Sequence, residues 1–205
     1  VISVLRCDGM PPLIGFLAHA DEAVAANAAG AIQAICVQEK GRLCAREQGA
    51  VPKLVPLLRS SSSRVAQRAV GALHNLSSDP ECLPIIRKRN GIPALVELLR
   101  ADHLSTCGSA AGTLQNISRE AASRHAVRDE QDAVPALADL LSAGDVTAQV
   151  CAAGALLNIL GPELDKGPSG ELGRRGFGAL LSCILAMSVM YETIWEEAPC
   201  LDYED

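Results

Sequence analysis

Ala110-Ala111-Gly112-Thr113-Leu114-Gln115-Asn116-Ile117-Ser118 decides the fold, because the chain writes this phrase more than once. Its centre, Gly112-Thr113-Leu114-Gln115-Asn116, is echoed by Gly30-Ala31-Ile32-Gln33-Ala34, Gly71-Ala72-Leu73-His74-Asn75 and Gly154-Ala155-Leu156-Leu157-Asn158. The four glycines are spaced by 41, 41 and 42 residues. A second marker keeps the same period. Leu13, Leu54, Leu95 and Leu137 follow the openings Gly9-Met10-Pro11-Pro12, Gly49-Ala50-Val51-Pro52, Gly91-Ile92-Pro93 and Asp132-Ala133-Val134-Pro135, again at 41, 41 and 42 residues. Two independent markers on one period identify a tandem array of supersecondary units.

Each unit reads as three helices. Proline near the opening sits in a first turn, where its missing N–H is not needed. A short apolar helix follows, such as Leu54-Val55-Pro56-Leu57-Leu58 or Leu95-Val96-Glu97-Leu98-Leu99. A polar break (Ser60–Ser63, or Ala143-Gly144-Asp145) precedes a longer helix, for example Val65 to Ser77. Its apolar residues Val65, Ala69, Ala72, Leu73 and Leu76 fall three and four apart, giving one stripe to bury. A short charged segment such as Leu83 to Arg89 closes the unit. One unit cannot cover its own stripe, so neighbours stack and share a continuous core, and the stack curves around a concave face. Glycine within a helix costs about 1 kcal/mol relative to alanine. Four in register predict a packing need at Gly30, Gly71, Gly112 and Gly154.

Composition agrees. The 205 residues are 49% hydrophobic and 20% charged, which excludes a disordered chain. Aromatics make up 2%, and the chain leans on Ala and Leu, against an all-β fold. The net charge of −6 lies wholly in Tyr191–Asp205, which holds six acidic residues and no basic one; 18 acidic and 18 basic residues remain in 1–190. A neutral body is a poor nucleic-acid binder. The eight cysteines form no C-x-x-C pair and no zinc-ligand spacing, so they read as small apolar residues of a reducing, intracellular setting. Gly176–Tyr191 is uncharged over sixteen residues, short of a bilayer span, and reads as a buried terminal helix. The opening Val1-Ile2-Ser3 reads as the start of a fragment.

The phrases Ala110–Ser118 and Gly71–Ser77, with the Gly-x-x-Pro-x-Leu-Val-x-Leu-Leu openings, resemble the armadillo-repeat family, in its β-catenin, plakophilin and inscuteable-like branches. The resemblance covers residues 1–165. It implies an all-α, right-handed armadillo superhelical solenoid of about four repeats plus a C-terminal capping helix. In this reading residues 1–8 end a truncated preceding repeat; 9–48, 49–90 and 91–131 are repeats; 132–175 is a degenerate repeat, broken by Gly161-Pro162 and the Gly/Pro-rich run to Gly170; 176–191 is the capping helix; 192–205 is a disordered acidic tail, with a partner-docking motif or a fold-back onto the solenoid as the alternative.

The resemblance also implies a groove in which third-helix asparagines hydrogen-bond the backbone of an extended partner peptide. Carried over, these are Asn75, Asn116 and Asn158, with Ala34 at the first position. An amide offers two donors and an acceptor to a peptide unit, or equally to a neighbouring loop. Arg68 and Ser109 lie seven residues before Asn75 and Asn116, on the same helix face, and His74 and Gln115 adjoin the asparagines. Armadillo import receptors instead place Trp one turn before the groove Asn; here those positions are glycines, and Trp195 lies outside the repeats.

No catalytic constellation can be argued from spacing. His19, His74, His103 and His125 stand alone, and Gly173–Gly178 lacks the Lys-Ser/Thr of a phosphate loop. The expectation is a non-enzymatic scaffold, without cofactor or metal, for an extended segment of another protein in adhesion, polarity or signalling. Its expected location is the cytoplasm, at cortex or junctions, with the nucleus as an alternative. The rivals are the regulatory part of a larger enzyme and a spacer without a groove ligand. Neither nucleic acid nor membrane insertion is expected.

Overall fold

A computed structural model describes residues 8–164, with side chains as far as residue 160. Among the described residues there are eleven α-helices and no strand. In chain order they are α1 Met10–Phe16, α2 Glu22–Ile35, α3 Glu39–Glu47, α4 Ala50–Leu54, α5 Ser63–Leu76, α6 Leu83–Lys88, α7 Gly91–Leu98, α8 Leu104–Ile117, α9 Ala121–Asp129, α10 Ala133–Leu140 and α11 Val146–Leu164.

The long helices α2, α5 and α8 have 14 residues each. They stack in order: α2 on α5, α5 on α8, α8 on α11. The short helices α1, α7 and α10 pack beneath α2, α8 and α11. This is the all-α solenoid that the period predicts. The expected stripe on α5 is buried in full: Val65, Ala69, Ala72, Leu73 and Leu76 are all at 2% exposure or less. One main core runs from Met10 to Leu160, with a small satellite of Ala25, Ala26 and Val65 between α2 and α5, so each unit completes its neighbour's interior.

Helix starts follow capping chemistry. Asp21 Oδ1 accepts from the Ala23 N–H at 2.8 Å, and Asp145 Oδ2 from the Ala148 N–H at 2.9 Å. Three non-adjacent residues take left-handed backbone at the turn before the short apolar helix: Asp8 (φ 50°), Gly49 (φ 76°) and Asn90 (φ 59°). They are 41 residues apart each time. The sequence openings at Gly9 and Gly91 are therefore one residue late. Asn90 makes the turn, being among the few non-glycine residues that tolerate this region, and Gly91 is the first residue of α7. A β-carbon on Gly91 would meet Ile86 Cγ2 at 2.7 Å. In the fourth unit Asp132 is right-handed (φ −91°), which coincides with the single extra residue in its spacing.

One further difference has a local cause. The short helix expected over Leu54–Leu58 changes to 3-10 at Val55–Arg59, because Pro56 has no N–H for the Pro52 carbonyl. The fourth long helix keeps helical backbone through Leu164, into the start of the Gly/Pro-rich run expected to be too rich in these residues for a normal connecting helix. The capping helix at 176–191 and the acidic tail at 192–205 lie outside the described residues. Among the described residues no helix is long and apolar enough to cross a membrane. The five described cysteines, Cys36, Cys44, Cys82, Cys107 and Cys151, are free thiols.

Candidate functional site

The long-helix layer gathers all seven residues singled out above. Each of the three asparagines reaches back to the preceding unit. Asn75 Nδ2 donates to the Gln33 carbonyl at 2.8 Å, and Asn158 Nδ2 to the Gln115 carbonyl at 2.9 Å. Asn116 Nδ2 donates to Ser77 Oγ at 2.9 Å, and Ser77 passes the bond to the His74 carbonyl at 2.7 Å. Gln33, His74 and Gln115 are equivalent positions, each 41 residues apart. One carbonyl per unit therefore receives the next unit's asparagine, directly or through a hydroxyl. None of the three Oδ1 atoms accepts from another described residue. Asn75 and Asn158 are half-buried, while Asn116 is buried.

The side chains at those same positions fill the gaps left by the recurrent glycines. The amide carbons of Gln33 and Gln115 stand 2.6 Å from where β-carbons on Gly71 and Gly154 would lie, and His74 Nε2 stands 2.5 Å from that point on Gly112. The packing need expected from four glycines in register is thus met by a polar side chain from the unit before. Gly30, which has no described unit before it, is covered instead by Arg68 Cδ from the unit after, at 3.3 Å. Gln33 escaped selection in the sequence, although a polar residue follows the glycine by three in three of the four units.

Arg68 is exposed on α5 towards α2, and Arg64, one turn earlier, donates to Asn27 Oδ1 at 3.1 Å. These two guanidinium groups form no ion pair with a described residue. Across α5, α8 and α11 the layer opens into a cavity of about 460 Å³, lined by His74, Leu104, Ser105, Gly108, Ser109, Asp145 and Thr147. His74 and Ser109, separated in sequence, meet here. Burial holds the His74 imidazole below its ordinary range, so it is neutral at pH 7. Leu104, Ser105, Asp145 and Thr147 were not picked out in advance. Leu104 carries a signal, as an apolar side chain left 43% exposed at a helix start.

On the edge of the stack the units are tied by repeated charge pairs. Arg46 donates to both Asp79 oxygens, at 2.9 and 3.2 Å, and Arg87 to Glu120 at 3.0 Å. Both pairs span 33 residues and sit 41 apart. They are structural ties outside the layer. Among the described residues no group of three or more His, Cys, Asp or Glu side chains could hold a metal ion.

The armadillo/β-catenin-like repeat family matches residues 1–37, 38–78 and 79–119, three consecutive units covering more than half the chain. No curated protein matches. An engineered protein solved by the Northeast Structural Genomics Consortium is 28% identical, with a TM-score of 0.69 over 85% of this chain and 68% of its own. A designed armadillo repeat protein is 23% identical, with a TM-score of 0.72 over 88% of this chain and 84% of its own. Another designed armadillo repeat protein, solved in complex with the peptide (KR)4, is 22% identical, with a TM-score of 0.70 over the same shares. The two designed proteins speak for the fold.

Proposed function

Because the chain belongs to the armadillo/β-catenin-like repeat family, we propose that it is a non-enzymatic scaffold whose long-helix layer holds an extended peptide segment of another protein. The observation that carries this reading is the row of Asn75, Asn116 and Asn158 amides. Each has one N–H committed between units, which leaves a second N–H and an oxygen for a peptide unit. That a designed relative of the same fold binds (KR)4 in a solved complex supports the mode, though not the choice of peptide. The exposed Arg64 and Arg68 favour carboxylates in the part of the partner lying over α2 and α5. Adhesion, polarity or signalling at the cell cortex or junctions, with the chain in the cytoplasm or nucleus, is the context this reading carries. Its partner is a protein segment, not nucleic acid. The acidic residues of 192–205 compete with such a segment within the same chain.

The inter-unit bonds also favour a second reading, a spacer in which the asparagines only staple the stack. Panning a random dodecapeptide phage library against the whole chain separates the two. The scaffold reading expects enriched clones whose synthetic peptides lose about tenfold in affinity on Arg68→Glu or Asn158→Ala, with the helical circular dichroism unchanged. No enrichment, or clones indifferent to both substitutions, leaves the spacer.

A further inference from the structure

The cavity between α5, α8 and α11 has a composition that selects its occupant. Asp145 is the one formally charged residue in its lining. Its Oδ2 caps α11 through the Ala148 N–H, and its Oδ1 bonds to no described residue. The other polar groups are the hydroxyls of Ser105, Ser109 and Thr147 and the His74 ring, while Leu104 and Gly108 supply apolar wall. Leu104 is left 43% exposed at the wall, an apolar side chain that the core does not take up.

We propose that this cavity takes a cationic side chain, lysine or arginine, of the bound peptide: the methylene stem lies against Leu104 and Gly108, and the charged head meets Asp145. The proposal rests on the peptide-scaffold reading and narrows it. A long cationic side chain is the group that wants apolar cover for its stem and a carboxylate for its end. The amino ends of α8 and α11 oppose a cation with about half a positive charge each. At α11 the Asp145 carboxylate already meets that end. At α8 Leu104 and Ser105 are exposed, so solvent and salt screen it. His74 contributes no competing charge at neutral pH.

The placement also sets a register. Arg68 faces α2 from one side of α5, and the cavity lies on the other side. Stacked helices are about 8–10 Å apart, so the two are separated by roughly one to two helix spacings. An extended peptide covers that in about three to six residues. The partner then carries acidic residues and a basic residue at about that separation.

Four labelled decapeptides test this by fluorescence anisotropy on the whole chain. Each has four acidic residues, a four-residue Gly-Ser spacer and either two lysines or two norleucines, written in both chain directions. The expected result is that the lysine peptide, in one direction, binds roughly fivefold tighter than its norleucine twin, the worth of one partly exposed ion pair. Asp145→Asn keeps the helix cap, since Asn caps as well as Asp, and removes that difference. Thr147→Lys, which installs a resident cation at an exposed position, removes it independently. Equal binding of lysine and norleucine peptides to the unsubstituted chain, or a preference that survives both substitutions, overturns the proposal. If the acidic peptides bind and Arg68→Glu weakens them while lysine confers nothing, the scaffold reading stands and this inference falls. If none of the four binds and panning enriches nothing, both fall.

Discussion

His74 Nε2 stands 2.5 Å from the point a β-carbon on Gly112 would occupy, and two further ring atoms stand within 3.0 Å of it. The imidazole is thus the missing side chain of a helix one unit away. Its ring is rigid beyond two torsions, and Gly112 is buried. Gly112→Ala is expected to cost about 1–2 kcal/mol by overpacking. In a His74→Ala background the same change is expected to gain up to about 1 kcal/mol, the ordinary helix preference for alanine. Urea unfolding of the four proteins in the cycle reads the coupling directly, and additive effects would show that the two residues do not oppose each other.

Asn116 is the buried asparagine, and its amide hangs on Ser77, whose hydroxyl is committed to His74. Asn116→Ala takes from the buried Ser77 oxygen the N–H it accepts while its bond to the His74 carbonyl remains, and a loss of about 1 kcal/mol in unfolding free energy is expected. Asn158→Ala, at a half-buried position, is expected to lose less. If both cost the same, the relay through Ser77 carries no particular weight.

His74 and Glu120 both make stability depend on pH, with the same sign. Burial lowers the His74 pKa, so above about pH 6.5 both folded and unfolded states are neutral and the stability is fully present. As pH falls, the unfolded imidazole takes its proton first and stability drops. The Glu120 carboxyl is also lowered, first by the Ser123 hydroxyl bonded to it and then by Arg87. Its contribution is present above the unfolded carboxylate value of about 4.5 and is lost below that, down through the folded pKa. His74→Gln, which copies the residue of the neighbouring units, should flatten the fall in urea midpoint between pH 7 and 5. Ser123→Ala should alter only the fall at lower pH. An unchanged upper limb in His74→Gln would clear the imidazole of any part in it.

Cys36 and Cys82 are buried thiols, each pushed up to about 12 chiefly by desolvation. The thiolate is the reactive form. Iodoacetamide at pH 8 should therefore leave both unmodified in the folded chain and label them at the rate of global unfolding. Mass spectrometry of the tryptic peptides checks this; rapid native labelling would mean the stack opens locally between α3 and α6.

The solenoid was legible because its causes are periodic. Val65, Ala69, Ala72, Leu73 and Leu76 repeat with the helix turn, and Gly30, Gly71, Gly112 and Gly154 with the unit. The turn at Asn90 was missed by one residue, since alignment followed the glycine at 91 while the backbone required a residue able to adopt positive φ. The choice of Asn75, Asn116 and Asn158 could be read from the motif. Their bonds to Gln33, Ser77 and Gln115 could not, because they depend on how one unit seats against the next. Asp145 looked like part of a polar break; its place beside His74 and Ser109 exists only once α11 is stacked on α8.

The constant 33-residue span of the Arg46–Asp79 and Arg87–Glu120 ties has an architectural consequence. The contacts are interchangeable couplings, like identical railway couplers. Excising residues 50–90 would bring Arg46 opposite Glu120, Gln33 onto Gly112 and Gly49 into the left-handed turn that Asn90 vacates. Such a shortened array should close up and melt cooperatively, so that evolution can change the reach of this protein by whole carriages without redesigning any of them.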